Sequence, residues 1–231
     1  MSRQALERFM PDAALLGAGG PLIEMRILEL LAARLCHELS GPVAAINNGI
    51  ELLCDEDLEP GSPPGPGFIR DAVTLVSDSA HRARNRLQFY RFAYGFSRLG
   101  GANTGPAPHE LAAGFFAAGQ IVCDYAESAR AMPPDWQHLA CNLLAVGADT
   151  LPRGGRLALS DGPLTIEAIG EAAALSAEAR SALMLTTPTT ELTARTVQPY
   201  FAGLLAKALD CRLIATAEPG RVRLTAVAAG I

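Results

Sequence analysis

His37 and Glu38, followed by Leu39, Ser40, Gly41 and, five residues after the histidine, Pro42, form the segment of this 231-residue chain best suited to chemistry. An imidazole has an ordinary pKa near 6.5, so a neutral, nucleophilic ring nitrogen is available at pH 7. Such a nitrogen holds phosphate as a phosphoramidate and can pass it to a carboxylate. That reaction needs positioning and charge neutralisation more than covalent help. The site therefore calls for an exposed histidine on a rigid helix and a second group to fix the ring tautomer. Glu38 suits the second role, accepting from, or drawing a proton off, the other ring nitrogen. Pro42 lacks an N–H and crowds the carbonyl of Glu38, which predicts a loosened turn where a partner must approach.

The element that carries these residues is legible in the spacing of apolar positions. From about 22 to 55 they fall at 27, 31, 35, 39, 43, 46, 50 and 53, one stripe of an amphipathic helix. His37 projects away from that stripe. The run Glu59-Pro60-Gly61-Ser62-Pro63-Pro64-Gly65-Pro66-Gly67 breaks any regular structure and reads as a turn. A second stripe follows at 69, 72, 76, 80, 83, 87, 90 and 94, and its helix ends near Gly100-Gly101. A short connection makes antiparallel neighbours. Two such helices cannot enclose their own apolar stripes, so a second copy is expected, giving a four-helix bundle in a homodimer.

Residues 1–21 read as a leader, 22–100 as the helical hairpin and 101–108 as a linker. Residues 109–231 change to mixed α and β patterning. Helices are expected at 109–118, 134–150, 176–185 and 193–209, and strands at 120–127, 156–160, 164–169, 212–217 and 222–227. The architecture is a helical hairpin joined to an α+β sandwich with helices on one face of a sheet.

Composition narrows the function. Apolar residues make up 49% of the chain and charged residues 19%, which supports a buried core. The net charge of −5 argues against a general nucleic-acid or anionic-membrane binder. No run of apolar residues is long enough to span a bilayer, and residues 1–20 lack a signal-peptide pattern, so a cytoplasmic protein is expected. Cys36, Cys54, Cys123, Cys141 and Cys211 are widely spaced with no C-x-x-C, as suits reduced thiols acting as small buried hydrophobes. No metal-ligand cluster is visible. His81, His109 and His138 read as structural or solvated, and Trp136 as a core anchor.

The run His37-Glu38-Leu39-Ser40-Gly41-Pro42-Val43 resembles the H-box of sensor histidine kinases, commonly H-E-L-R-T-P-L, and the hairpin followed by an α+β domain resembles their dimerisation and ATPase-like catalytic domains. The nucleotide lobe departs from that pattern. Asn142-Leu143-Leu144-Ala145-Val146-Gly147-Ala148-Asp149-Thr150-Leu151-Pro152-Arg153-Gly154-Gly155 resembles the N-box, but Val146 stands where an Asn ligates metal and phosphate, and Asp149 replaces a Lys. A valine cannot coordinate Mg²⁺. The D-x-G-x-G that reads adenine has no match in Ile169-Gly170-Glu171-Ala172-Ala173, and a glycine-rich lid is missing between Leu185 and Tyr200.

This combination is similar to the ChpT-type histidine phosphotransferases of bacterial phosphorelays, through the H-box run extending to Gly49, the turn Leu151-Pro152-Arg153-Gly154-Gly155, and Val197-Gln198-Pro199-Tyr200 opening the last helix. The resemblance implies a degenerate catalytic-like domain without ATP. It implies that His37 receives phosphate from the receiver domain of a hybrid histidine kinase and donates it to response regulators, in relays that control the cell cycle. It further implies no cofactor of the chain's own, with Mg²⁺ held in the acidic pocket of the receiver. Gly41 occupies the position whose side chain positions hydrolytic water in the kinases, so a longer-lived phosphohistidine is implied. Measured back from the turn, residues 80–88 lie level with His37. Arg82, Asn85 and Arg86 on the second helix, with Arg34, Ser40, Ala44 and Asn48 on the first, form the expected receiver-docking surface. A solvated basic face explains the same arginines, and a divergent ATP-dependent kinase or a non-enzymatic dimeric scaffold remain the competing readings of the chain.

Overall fold

A computed structural model describes residues 24–54, 65–95 and 105–228. The expected leader, residues 59–64 of the expected turn and residues 101–104 of the expected linker lie outside the described residues. Helices α1 (Met25–Cys54) and α2 (Pro66–Ala93) form the hairpin. Helix α1 runs unbroken through Pro42, where a loosened turn was expected. The two helices approach closely where α1 has no side chain: a Cβ on Gly49 would lie 2.6 Å from Val76 Cγ2 and 3.4 Å from the Ala72 carbonyl oxygen.

The rest of the chain is α3 (Pro108–Phe116), β1 (Ile121–Tyr125), α4 (Pro134–Asp149), β2 (Gly155–Asp161), β3 (Leu164–Ile169), α5 (Ala177–Leu183), α6 (Val197–Ala208), β4 (Cys211–Glu218) and β5 (Arg221–Ala228). Each corresponds to an expected element. Short 3-10 turns at Ser128–Ala131 and Thr189–Glu191 were not anticipated. Prolines at the first helical positions of α3 and α4 supply a preset φ and lack an N–H that would be unpaired there. The Glu110 carboxylate accepts from the Ala107 N–H at 2.8 Å, closing the start of α3.

The sheet has the order β1-β2-β3-β5-β4, with β1 parallel to β2 and every other pair antiparallel. One face is buried through Leu157, Leu159, Ile166, Ala168, Leu213, Val222 and Leu224. The other carries Arg156, Glu167, Arg221 and Arg223, and Glu167 pairs across strands with Arg221 and Arg223, as an antiparallel sheet with one wet face allows. Helix α4 lies on the buried face. Every residue from His138 to Gly147 is buried, so this helix is covered on all sides. A Cβ on Gly147 would lie 2.9 Å from Leu157 Cδ2, which shows how tightly α4 seats on the sheet.

The hairpin is built into this core rather than hung from it. The second apolar stripe was expected to include Ile69 and Leu87, yet these are 42% and 50% exposed, while Phe89 and Ala93 are fully buried. The last turns of α2 enter the main core, where Phe89 stacks on Phe115 with centroids 4.2 Å apart. At the same end of the hairpin, Ile27, Leu30 and Leu31 in the first turns of α1 form a second core with Ala182, Leu192, Val197 and Phe201. A periodic stripe identifies one buried face, whereas these turns bury two. Cys141 and Cys211 are buried as expected, but Cys36 and Cys54 are exposed, on a side of α1 that no described residue covers.

Candidate functional site

His37 stands exposed in the first half of α1, one turn beyond Arg34. Ser40, Gly41, Ala44 and Asn48 are also exposed, and their spacing from His37 places all five on one open strip of the helix. The Ser40 hydroxyl donates to the Cys36 carbonyl at 2.7 Å, so it lies along the helix surface. Among the described residues nothing lies within 4 Å of where a Cβ on Gly41 would be. The strip is therefore low, which leaves the imidazole standing above its neighbours.

Glu38 takes a different place from the one expected. It is half-buried and turned toward α2, where Arg86 donates to its carboxylate. Among the described residues no hydrogen bond joins Glu38 to His37, because the carboxylate is engaged by Arg86 instead. The pairing does bear out the level at which residues 80–88 meet His37. The Arg86 guanidinium also lies over the Phe115 ring, 5.5 Å from its centroid, a cation–π contact with α3.

The expected docking residues divide. Ser40, Ala44, Asn48 and Arg82 are exposed as a docking surface requires. Asn85 is committed elsewhere, donating to the Gly114 carbonyl at 3.1 Å and so tying α2 to α3. Arg34 corrects its expectation outright. It is only 7% exposed, because its guanidinium turns inward to both carboxylate oxygens of Asp149, at 2.8 and 2.9 Å. Burial disfavours that cation, and the adjoining Asp149 more than restores it. Beside it, burial pushes the Tyr90 hydroxyl up to about 12. Asp149, which stands where the kinases carry a Lys, is thus the counter-ion of a buried arginine on the hairpin.

The other residues of the N-box-like stretch also make structural contacts. Asn142 is fully buried and donates to the carbonyls of Ala93 and His138, at 2.8 and 2.9 Å. The His138 Nε2–H donates to the same Ala93 carbonyl at 2.6 Å. Gln198 donates to the Asn142 side chain at 2.9 Å and accepts from the Tyr94 hydroxyl at 3.0 Å. This polar latch closes α2, α4 and α6 on one another. Val146 is buried in α4. His81 is exposed, His109 lies with its ring 6.2 Å from that of Tyr125, and Trp136 packs half-buried against the main core. Sequence reasoning missed Phe115 and the pairing role of Asp149, whose partners Arg86 and Arg34 are remote in the chain and leave no local signal.

The family described as histidine phosphotransferase C-terminal domain matches residues 107–221. Protein phosphotransferase ChpT of Brucella abortus (strain 2308) is 32% identical over 199 residues, which cover 82% of this chain and 90% of that protein. A solved structure described as a 1.7 Angstrom structure of a bacterial phosphotransferase superposes with a TM-score of 0.70 at 29% identity, covering 90% of this chain and 98% of that one.

Proposed function

The chain belongs to the histidine phosphotransferase family, and from that premise we propose that His37 is the residue that carries the phosphate. The protein is a phosphotransferase of a phosphorelay. In the proposed cycle a ring nitrogen of His37 attacks the phosphorus of an aspartyl phosphate, the P–O bond breaks, and the donor leaves as a free carboxylate. A second aspartate then attacks the phosphohistidine, the P–N bond breaks, and the imidazole is restored. The donor is the receiver domain of a hybrid kinase and the acceptors are response regulators. The observation that carries this reading is the exposed imidazole on a strip of small side chains, which a receiver helix can approach closely.

The same reading assigns the Mg²⁺ to the receiver and no ATP to this chain. Val146 supports it, since an apolar side chain buried in α4 supplies no oxygen ligand. A homodimer in the cytoplasm completes it. Val43, Ile50, Val73 and Leu87 are exposed on the hairpin, an apolar surface that a second copy would cover as a four-helix bundle. No described helix is long and apolar enough to cross a membrane.

The decisive experiment incubates the chain with a phosphorylated receiver domain in the absence of ATP. Wild type should take up the label and His37→Ala should not, with unchanged circular dichroism. Label appearing from ATP alone would turn the reading to a kinase. Unaltered flux between receivers with His37→Ala would reduce the protein to a scaffold.

A further inference from the structure

We propose that Arg86 is a positioning residue for phosphoryl transfer at His37 and acts through Glu38; the inference rests on His37 being the phosphate carrier. The group that approaches His37 is an anion, and the Glu38 carboxylate, next in the chain, is an anion as well. Left unpaired, that carboxylate opposes the approach and is free to swing toward the ring. The Arg86 guanidinium neutralises it and fixes it on the α2 side of the hairpin.

Arg86 is itself held. Its guanidinium lies over Phe115, whose ring stacks on Phe89 at 4.2 Å and meets Tyr90 edge-on at 5.6 Å. The neighbouring Asn85 is bonded to Gly114, in the same helix as Phe115. Arg86 is thus a fixed, engaged cation rather than a free one available to reach a partner. Through it, the first helix of the C-terminal domain governs the charge beside the reacting imidazole. A lysine there would keep the charge but lose the planar fork and the stacking on Phe115.

The test uses the full chain and phosphoramidate, a small phosphoryl donor that needs no docking surface. A ring nitrogen of His37 attacks phosphorus, the donor's P–N bond breaks, and ammonia leaves with the displaced ring proton as ammonium. Phosphohistidine is measured by ³¹P NMR, with His37→Ala as the control that places the label. Arg86→Ala should slow labelling by about tenfold, and Arg86→Lys should recover part of that loss. In a Glu38→Gln background, Arg86→Ala should change the rate by less than about twofold, because no charge is left to neutralise. An Arg86→Ala rate equal to wild type, or an equal loss in both backgrounds, overturns the proposal. Should Arg86→Ala fail to fold, Arg86→Gln, which removes the charge but keeps most of the stem, with and without Glu38→Gln gives the same comparison. Label that survives His37→Ala would instead sink the carrier assignment, a result separate from any outcome at Arg86.

Discussion

Arg34 and Asp149 show how a position can leave one role and keep another. Read alone, Asp149 marks damage to a nucleotide-binding pattern. In three dimensions it neutralises a guanidinium that is otherwise buried. Removing one member of a buried pair strands the other, whereas replacing both with apolar groups can be nearly neutral. The Asp149 side chain is 43% exposed, which lets water relieve part of the cost. Asp149→Ala should therefore destabilise the protein by about 1–2 kcal/mol, and Arg34→Met in the same chain should recover much of it. Urea titration of the three variants checks both. His37 and its open strip are legible in the sequence because they depend only on helical spacing. The Arg34 pairing is not, since a buried arginine and a docking arginine look alike in one dimension.

At the scale of elements, spacing and punctuation are strong guides. The boundaries of α3, α4 and the five strands lie within a few residues of expectation, because prolines, glycine pairs and alternation act locally. Burial is less legible. Which face of α2 is covered depends on α3 and α4, which reach it from outside its own sequence. Close packing between helices yields a further prediction. On Gly203 in α6 a Cβ would lie 2.5 Å from the Leu183 carbonyl oxygen, a backbone atom that cannot step aside. Gly203→Ala should lower stability by about 1–3 kcal/mol in spite of alanine's better helix propensity. At the solvent-open Gly41 the same change should raise it by as much as about 1 kcal/mol. Thermal melts of the two variants should move in opposite directions.

For the whole molecule, the hairpin presents apolar side chains that its own fold leaves uncovered, among them Val73 at 51% exposure. If a second copy covers them, Val73→Glu paired with Val43→Glu should convert a dimer into a folded monomer. Sedimentation velocity would read the mass and circular dichroism the fold. An unchanged mass would remove the bundle from the proposed architecture. The spacing of the apolar stripes alone leads to a dimer, and the exposed side chains support the same reading from the opposite direction.

Mechanically the hairpin is a cantilever. It is clamped where Ile27, Leu30 and Arg34 meet the C-terminal domain and where Phe89 and Ala93 enter its core, and within one protomer no other described element supports it toward Cys54 and Ile69. Deflection in such a beam grows with distance from the clamp. His37 is one turn, about 5 Å, beyond Arg34 and about 25 Å short of Cys54 along the axis. The imidazole is therefore mounted at the stiff root, while bending is left to the tip. Hydrogen exchange should follow this gradient, slowest near Leu30 and Phe89 and fastest toward Leu53 and Phe68. A docking partner would then find the histidine at a position set by the clamp rather than by the far end of the hairpin.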